Sequence, residues 1–334
     1  MKRIVFKLCF ILLCANSCAQ SLFPVLGGQR AGTSVFSFLN IGISARAVGM
    51  GEAVVALNQD AASVYYNPAV IAQLDTFEVS VTQIKWPAQI NYDYFSVIRQ
   101  ISRRNFLGIS GGILHMKPME ETTEYFPSGT GNYFIFQDRF ISITYGAKMT
   151  DRFSFGISFK HVAEDLDNYS MSSMLLDVGT FYWTGYKSLR FCASLSHFGP
   201  QVSPKGSYEN RILDKNSGNE IVENSKFEQF SPPTIFRIGA AVDPVLNQKN
   251  HIIVSLQLNH PVDNAEYIVS GIEYSYMETL FLRGGYKFNK NEENYSFGAG
   301  VKISFSRLIL SANYGYTNFQ HLSDPKRFSI GFSY

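Results

Sequence analysis

The chain has four cysteines in 334 residues, little charge, and almost no long apolar run. Each shortage excludes something. Three of the cysteines (Cys9, Cys14, Cys18) lie in the first 18 residues. An exported chain cut after residue 19 keeps only Cys192 and can form no internal disulfide. Charged residues make up 17%, well below the usual soluble share. Loss of residues 1–19 removes three basic residues (Lys2, Arg3, Lys7) and no acidic one. That leaves 26 basic against 27 acidic residues, a net charge of −1. No basic footprint remains for nucleic acid. After residue 19 no apolar run approaches the roughly 18 residues of a membrane helix. A mature chain that crosses a membrane must therefore do so as a closed β-barrel, which leaves no backbone group unpaired in hydrocarbon.

Catalytic patterns are missing too. The six histidines (His115, His161, His197, His251, His260, His321) show no metal spacing, and there is no Gly-x-Ser-x-Gly elbow or phosphate loop. His115, His161 and His197 fall at expected strand ends, where a partly wet imidazole needs no functional role. Asp165, Asp167 and Asn168 offer oxygens, but no Gly and Glu follow at calcium-loop spacing, so a solvated loop is expected there. Glu120, Glu121 and Glu124 beside Met119 and Tyr125 form either an acidic partner patch or a plain charged loop. The expectation is a protein with no catalytic residue, no metal and no cofactor.

The start MKRIVFKLCFILLCANSCAQ has a basic end, a short apolar run and small residues before Gln20. It reads as a secretory signal over residues 1–19, with lipidation at Cys18 as the rival. Aromatics reach 15%, with 28 Phe, 19 Tyr and 26 Gly, a composition that suits sheet. From Phe77 onward, period-two stretches recur. In FSFGISFKH, Phe153, Phe155, Ile157 and Phe159 share one face, and Ser154, Gly156, Ser158 and Lys160 the other. The closing RFSIGFSY sets Phe328, Ile330, Phe332 and Tyr334 against Ser329, Gly331 and Ser333.

A greasy face opposite a face of small residues fits lipid on one side and a lumen on the other, where a charge at Ser158 is expected to be tolerated. The spacing predicts about fourteen strands in an all-β, transmembrane antiparallel barrel over 76–334. Two connections, near 118–137 and 199–233, are long and polar; both follow odd-numbered strands, while those after even-numbered strands are short. That parity suits periplasmic turns and extracellular loops, and argues against a secreted sandwich or propeller. Tyr92, Tyr94, Tyr182, Trp183, Tyr274, Tyr276, Tyr314 and Tyr316 are candidates for interfacial girdles. Phe332 and Tyr334 place aromatics two apart in the final strand, similar to a barrel-insertion signal, although Ser329 stands where that signal has Gly.

Residues 20–75 are expected to be an N-terminal extension and plug, and within them 36–74 read differently from the barrel. Ala, Gly and Asn crowd the stretch, Asp60 and Asn67 are placed to cap short helices, and Pro68 suits a first helical position. A plug of short helices inside the barrel is expected. The segments Ser44-Ala45-Arg46, Gly49-Met50-Gly51 and Asn67-Pro68-Ala69 resemble the entry pattern of the PorV/PorQ family. That family is related to long-chain fatty-acid transporters of the FadL type. Gly27-Gly28, Phe36 to Asn40 and a mature length of about 315 residues resemble its PorQ branch. The resemblance implies a FadL-like fourteen-stranded barrel with an N-terminal plug, in the outer membrane of a Gram-negative bacterium. It implies work in type IX secretion, with a sortase-like surface protease and a peripheral surface protein as partners besides outer-membrane lipid. The alternatives are a transporter that takes a hydrophobic ligand into its lumen, and a PorV-like cargo shuttle. An apolar pocket beneath the plug favours transport; a sealed, polar lumen with sticky loops favours docking.

Overall fold

A computed structural model describes residues 32–57, 60–74, 77–167, 169–213, 220–290 and 292–334. The expected signal and the lipidation alternative at Cys18 lie outside the described residues. Fourteen strands form the wall: β1 Phe77–Lys85, β2 Asn91–Ser102, β3 Asn105–His115, β4 Phe136–Lys148, β5 Phe153–Leu166, β6 Tyr169–Trp183 and β7 Arg190–Phe198. They continue as β8 Ile235–Leu246, β9 Asn250–Pro261, β10 Tyr267–Tyr276, β11 Leu280–Phe288, β12 Glu293–Phe305, β13 Leu308–Phe319 and β14 Lys326–Ser333. Every neighbour pair is antiparallel, and β14 pairs with β1, for example Ile330 with Val81, so the sheet closes. Closure satisfies both edges of the ladder, the condition for a sheet in hydrocarbon. Among the described residues no helix is long and apolar enough to cross a membrane.

The alternation sorts the wall as the sequence indicates. Ser154, Gly156, Ser158 and Lys160 of β5 are buried within the barrel, while Phe159 is exposed outside. Ile141, Ile143, Leu256, Leu282, Phe297 and Ile330 share that outer, lipid-facing surface. Ser158 is buried and hydrogen-bonded to Thr144 at 2.6 Å, so the expectation that it tolerates a charge fails. The lumen there is packed rather than wet.

Three of the girdle candidates turn inward. Tyr92 and Tyr94 are buried, because they share parity with Ser96 on the inner face of β2. Trp183 also faces the interior, where its indole N–H donates to Gln73. The N-terminal segment supplies apolar partners inside the barrel, so an inward aromatic is filled rather than exposed. Tyr182, Tyr276 and Tyr314 remain outside.

Even-numbered strands lead into the short turns, which marks that rim as periplasmic. The long connections lie at the other rim, and both contain pairing that the sequence reading treats as plain loop. Ser207–Leu213 pairs with Glu220–Lys226, and Met119–Glu120 pairs with Tyr133–Phe134. Charged and polar residues at these positions hide the strand signal that β-branched runs would give.

Candidate functional site: the plug and its seat

The N-terminal segment threads the barrel. Near its start Ser34 bridges Ser231, and its hydroxyl donates to Asp263 at 2.6 Å; the Phe36 N–H donates to Glu164 at 3.0 Å. Those partners lie at the long-loop rim. At the far end the Gln73 amide donates to Ser154 at 2.6 Å, at the short-turn rim, where β1 begins. The plug therefore runs from the outer rim to the periplasmic rim.

Its local structure follows from caps. Ser44 accepts from the Ala47 N–H and starts the α-helix Ala45–Gly49. Asp60 accepts from the Ser63 N–H at the head of the 3-10 turn Ala61–Tyr65. Asn67 accepts from the Ala69 N–H at 3.0 Å, with Pro68 at the first position of the turn Pro68–Gln73. Side-chain oxygens thus take the orphan donors that short helices leave. None of these pieces is long enough to be stable alone. The barrel holds them.

The grip has three parts. The first is close backbone approach. A Cβ added to Gly315 of β13 would stand 2.5 Å from the Ala45 carbonyl oxygen, and one on Gly298 of β12 would stand 3.0 Å from Gly49 Cα. Gly271 of β10 meets the Met50 carbonyl, Gly285 of β11 meets Gly51, Gly179 of β6 meets Asn67, and Gly156 of β5 meets Pro68. Gly51 also has φ +66°, a region open to glycine. So the small inner face seen in the sequence is the seat into which the plug's backbone fits. The motif residues Ala45, Gly49, Met50, Gly51, Asn67 and Pro68 are the ones that occupy it. Ala69 is buried one residue beyond Pro68.

The second part is ionic. Arg46 donates to Glu273 of β10 at 2.9 Å, and Arg283 of β11 donates to the same carboxylate and to Asn313. Lys287 of β11 bridges Glu52 of the plug and Glu293 of β12. Arg327 and Arg190 donate to the plug carbonyls of Gly42 and Ala56 at 2.6 and 2.8 Å. Buried charges of this kind need such partners, since desolvation alone would expel them.

The third part is apolar. Phe38 meets Tyr92 edge-on at 5.9 Å between centroids, and Tyr65 packs against Tyr94 and Phe140 at 6.0 and 5.8 Å. Behind them the Lys160 ammonium lies 2.8 Å from Asp177 and 3.0 Å from His197 Nδ1, and 4.9 Å above the Tyr65 ring. His197 is thus fully buried, not the wet strand-end imidazole expected from sequence. Its positive φ of 61° turns it inward at the bulge between β6 and β7. His161, by contrast, is exposed on the outer face, and His115 pairs with Asp93 at 3.0 Å.

Cavities between plug and wall are polar. One of about 290 Å³ is lined by Arg46, Asp60, Gln73, Arg283, Lys302 and Asn313. A neighbour of about 210 Å³ is lined by Arg46, Arg190, Asp243, His251 and Lys302. An apolar groove of about 520 Å³ lies instead on the lipid-facing surface, beside Tyr274, Leu282, Ala299, Tyr314 and Phe328. Among the described residues no cluster of His, Cys, Asp and Glu is placed to hold a metal. Near the end of β14 Phe332 meets Phe77 of β1 edge-on at 6.2 Å, and Tyr334, one residue past the strand, is exposed.

Sequence reasoning missed Glu273, Arg283, Lys287 and Glu293. For Glu273, Arg283 and Lys287 the signal was available, a charge at an inward-parity position. Glu293 instead has the parity of the outward Tyr295 and Phe297, and turns inward only at the register shift between Glu293 and Ser296.

The model of the type IX secretion system protein PorV matches residues 27–264. The chain belongs to the PorV family. Family members are outer-membrane barrels of Gram-negative bacteria. No curated protein matches the sequence. Among solved structures, the CymD monoaromatic hydrocarbon channel is similar over 88% of this chain and 98% of its own, with a TM-score of 0.59 and 13% identity. The P. putida toluene transporter TodX is similar over 93% and 99%, with a TM-score of 0.58 and 10% identity. A Pseudomonas aeruginosa FadL homologue covers 88% and 98%, at 0.52 and 10%. At these identities the likeness shows the FadL-like fold alone.

Proposed function

We propose that this PorV-family chain is a docking barrel of the type IX secretion system, of the PorQ branch. In this role it anchors a cell-surface complex that processes and attaches exported cargo. The observation that supports this reading most is the state of the lumen. Plug backbone fills the glycine seat, buried ion pairs join plug to wall, and the spaces left between them are polar. A route for a hydrophobic solute needs apolar walls, whereas a sealed barrel presents function at its rim loops, where a rigid scaffold positions them. The partners on this reading are a sortase-like surface protease and a peripheral surface protein. The phenol and amide groups inside serve structure, and no catalytic step is assigned to them.

The fold shared with hydrocarbon channels favours one other reading, a passive transporter whose plug moves. Purification of the tagged barrel from detergent-solubilised outer membrane separates the two. Co-recovery of a sortase-like protease is expected. A lone barrel that takes up toluene in liposomes would overturn the docking role.

A further inference from the structure

The connection between β3 and β4 is the more unusual of the two long loops. From Met116 to Ile135 it contains Glu120, Glu121 and Glu124 against a single cation, Lys117, next to the end of β3. The other long loop mixes both signs, with Lys205, Lys226 and Glu228 among its residues. The acidic loop is also built rather than slack. The Glu121 N–H donates to the Asn132 carbonyl and the Thr130 N–H to the Glu121 carbonyl, both at 2.8 Å. The Glu121 carboxylate accepts from Asn132 at 3.0 Å and Thr130 at 2.8 Å, and those bonds hold it below the usual carboxylate range. Glu120 lies across Gly129 and accepts from the Gly131 N–H at 3.3 Å. At the base, the Asp167 N–H of the next rim turn donates to the Ile135 carbonyl at 3.0 Å.

This frame presents two rings to water. A turn closed between Thr123 and Phe126 carries Tyr125, 87% exposed, and Phe126, 61% exposed. Both stand at the outer rim. Exposed aromatics on a pre-ordered loop are the usual anchors of protein interfaces, because little further ordering is needed on binding. The surrounding charge decides among occupants. Three carboxylates oppose an approach to a phosphate-bearing lipid surface, and a two-fold pairing of copies would bring acid against acid. They attract a basic surface.

We infer that the Tyr125–Phe126 apex is a docking site for a folded cell-surface protein that offers an apolar pocket bordered by Lys or Arg. This inference rests on the docking reading and names the surface that carries it. The test places the photoreactive residue p-benzoylphenylalanine at position 125 in the full-length barrel in cells. A control carries it at position 186, since Tyr186 is 67% exposed at the opposite rim. Position 125 is expected to cross-link to one surface protein, at a peptide containing Lys or Arg, and position 186 is not. Glu124→Lys is expected to cut that cross-link tenfold or more, while the barrel keeps its heat-modifiable mobility. Adducts only to lipopolysaccharide or to a second copy, no adduct, or an adduct indifferent to Glu124→Lys would overturn the inference. Purification of the unaltered barrel separates the two layers. Partner recovered but no apex cross-link sinks the apex alone; no partner at all sinks the docking reading and the apex with it.

Discussion

The two sides of the lumen hold the same plug by different physics. Beside β2 and β4, rings of Phe38, Tyr65, Tyr92, Tyr94 and Phe140 interlock. Beside β10 to β12, Arg46 pairs with Glu273, which Arg283 also meets, and Glu52 pairs with Lys287, which Glu293 also meets. The aromatic side contributes most of the holding free energy, since it removes large apolar areas from water. The ionic side contributes little net stability, because desolvation offsets attraction. Its strength is in placement: a helix that slips by one residue leaves Arg46 or Glu52 without a partner.

Substitutions can break this comparison. Phe140→Ala is expected to have the largest effect, about 3–5 kcal/mol, by loss of transfer free energy and creation of a cavity. Its readout is a lower midpoint for the heat-induced gel shift, together with faster proteolysis of residues 36–57. Glu273→Gln comes next, at about 3 kcal/mol, because it leaves two buried guanidinium groups short of a counter-charge. The triple change Arg46→Met, Glu273→Leu, Arg283→Met sharpens the contrast. It should recover that loss within about 1 kcal/mol in the same melting assay, since apolar replacement of a buried triad is often neutral or stabilising. If the triple variant melts as low as Glu273→Gln, the ion pairs themselves stabilise the seat. Gly298→Ala should cost about 1–3 kcal/mol, the price of overpacking against Gly49. The same change at Gly131, which has open space around it, should leave the seat untouched and strain only its own φ of +83°.

The smallest effect concerns pH. Glu292, at the outer rim, accepts from the His321 ring at 2.9 Å and from the His321 and Leu322 N–H groups. These bonds hold its carboxyl below the ordinary value of 4.5. A folded value below the unfolded one gives stabilisation present above pH 4.5 and lost as pH falls through the folded value. Amide exchange at His321 and Leu322 should therefore show no added local opening between pH 6 and 8, and added opening only under acid. Opening that begins near neutrality would contradict this assignment to Glu292.

The wall was legible because a membrane strand obeys one rule over its whole length. FSFGISFKH and RFSIGFSY each show it without help from neighbours, and the rim parity follows from loop lengths. Inner contents were harder. Tyr92 and Tyr94 read as girdle aromatics because alternation alone does not say what fills the barrel. Glu273 and Arg283 face each other across the β10–β11 hairpin, but Arg46 reaches Glu273 from far away in the sequence, so no local pattern ties the plug to the pair. The caps at Asp60 and Asn67 were visible, being local chemistry, whereas the glycine seat needs both chains of contact at once.

The fixed plug is tested most directly by hydrogen exchange of the full-length barrel in nanodiscs, with and without toluene. Amides hydrogen-bonded inside the plug, those of Val48, Met50 and Gly51 among them, should exchange as slowly as those of β10 to β12 and ignore the solute. Exchange at the pace of the rim loops, or protection that falls when toluene is added, would contradict a permanently seated plug.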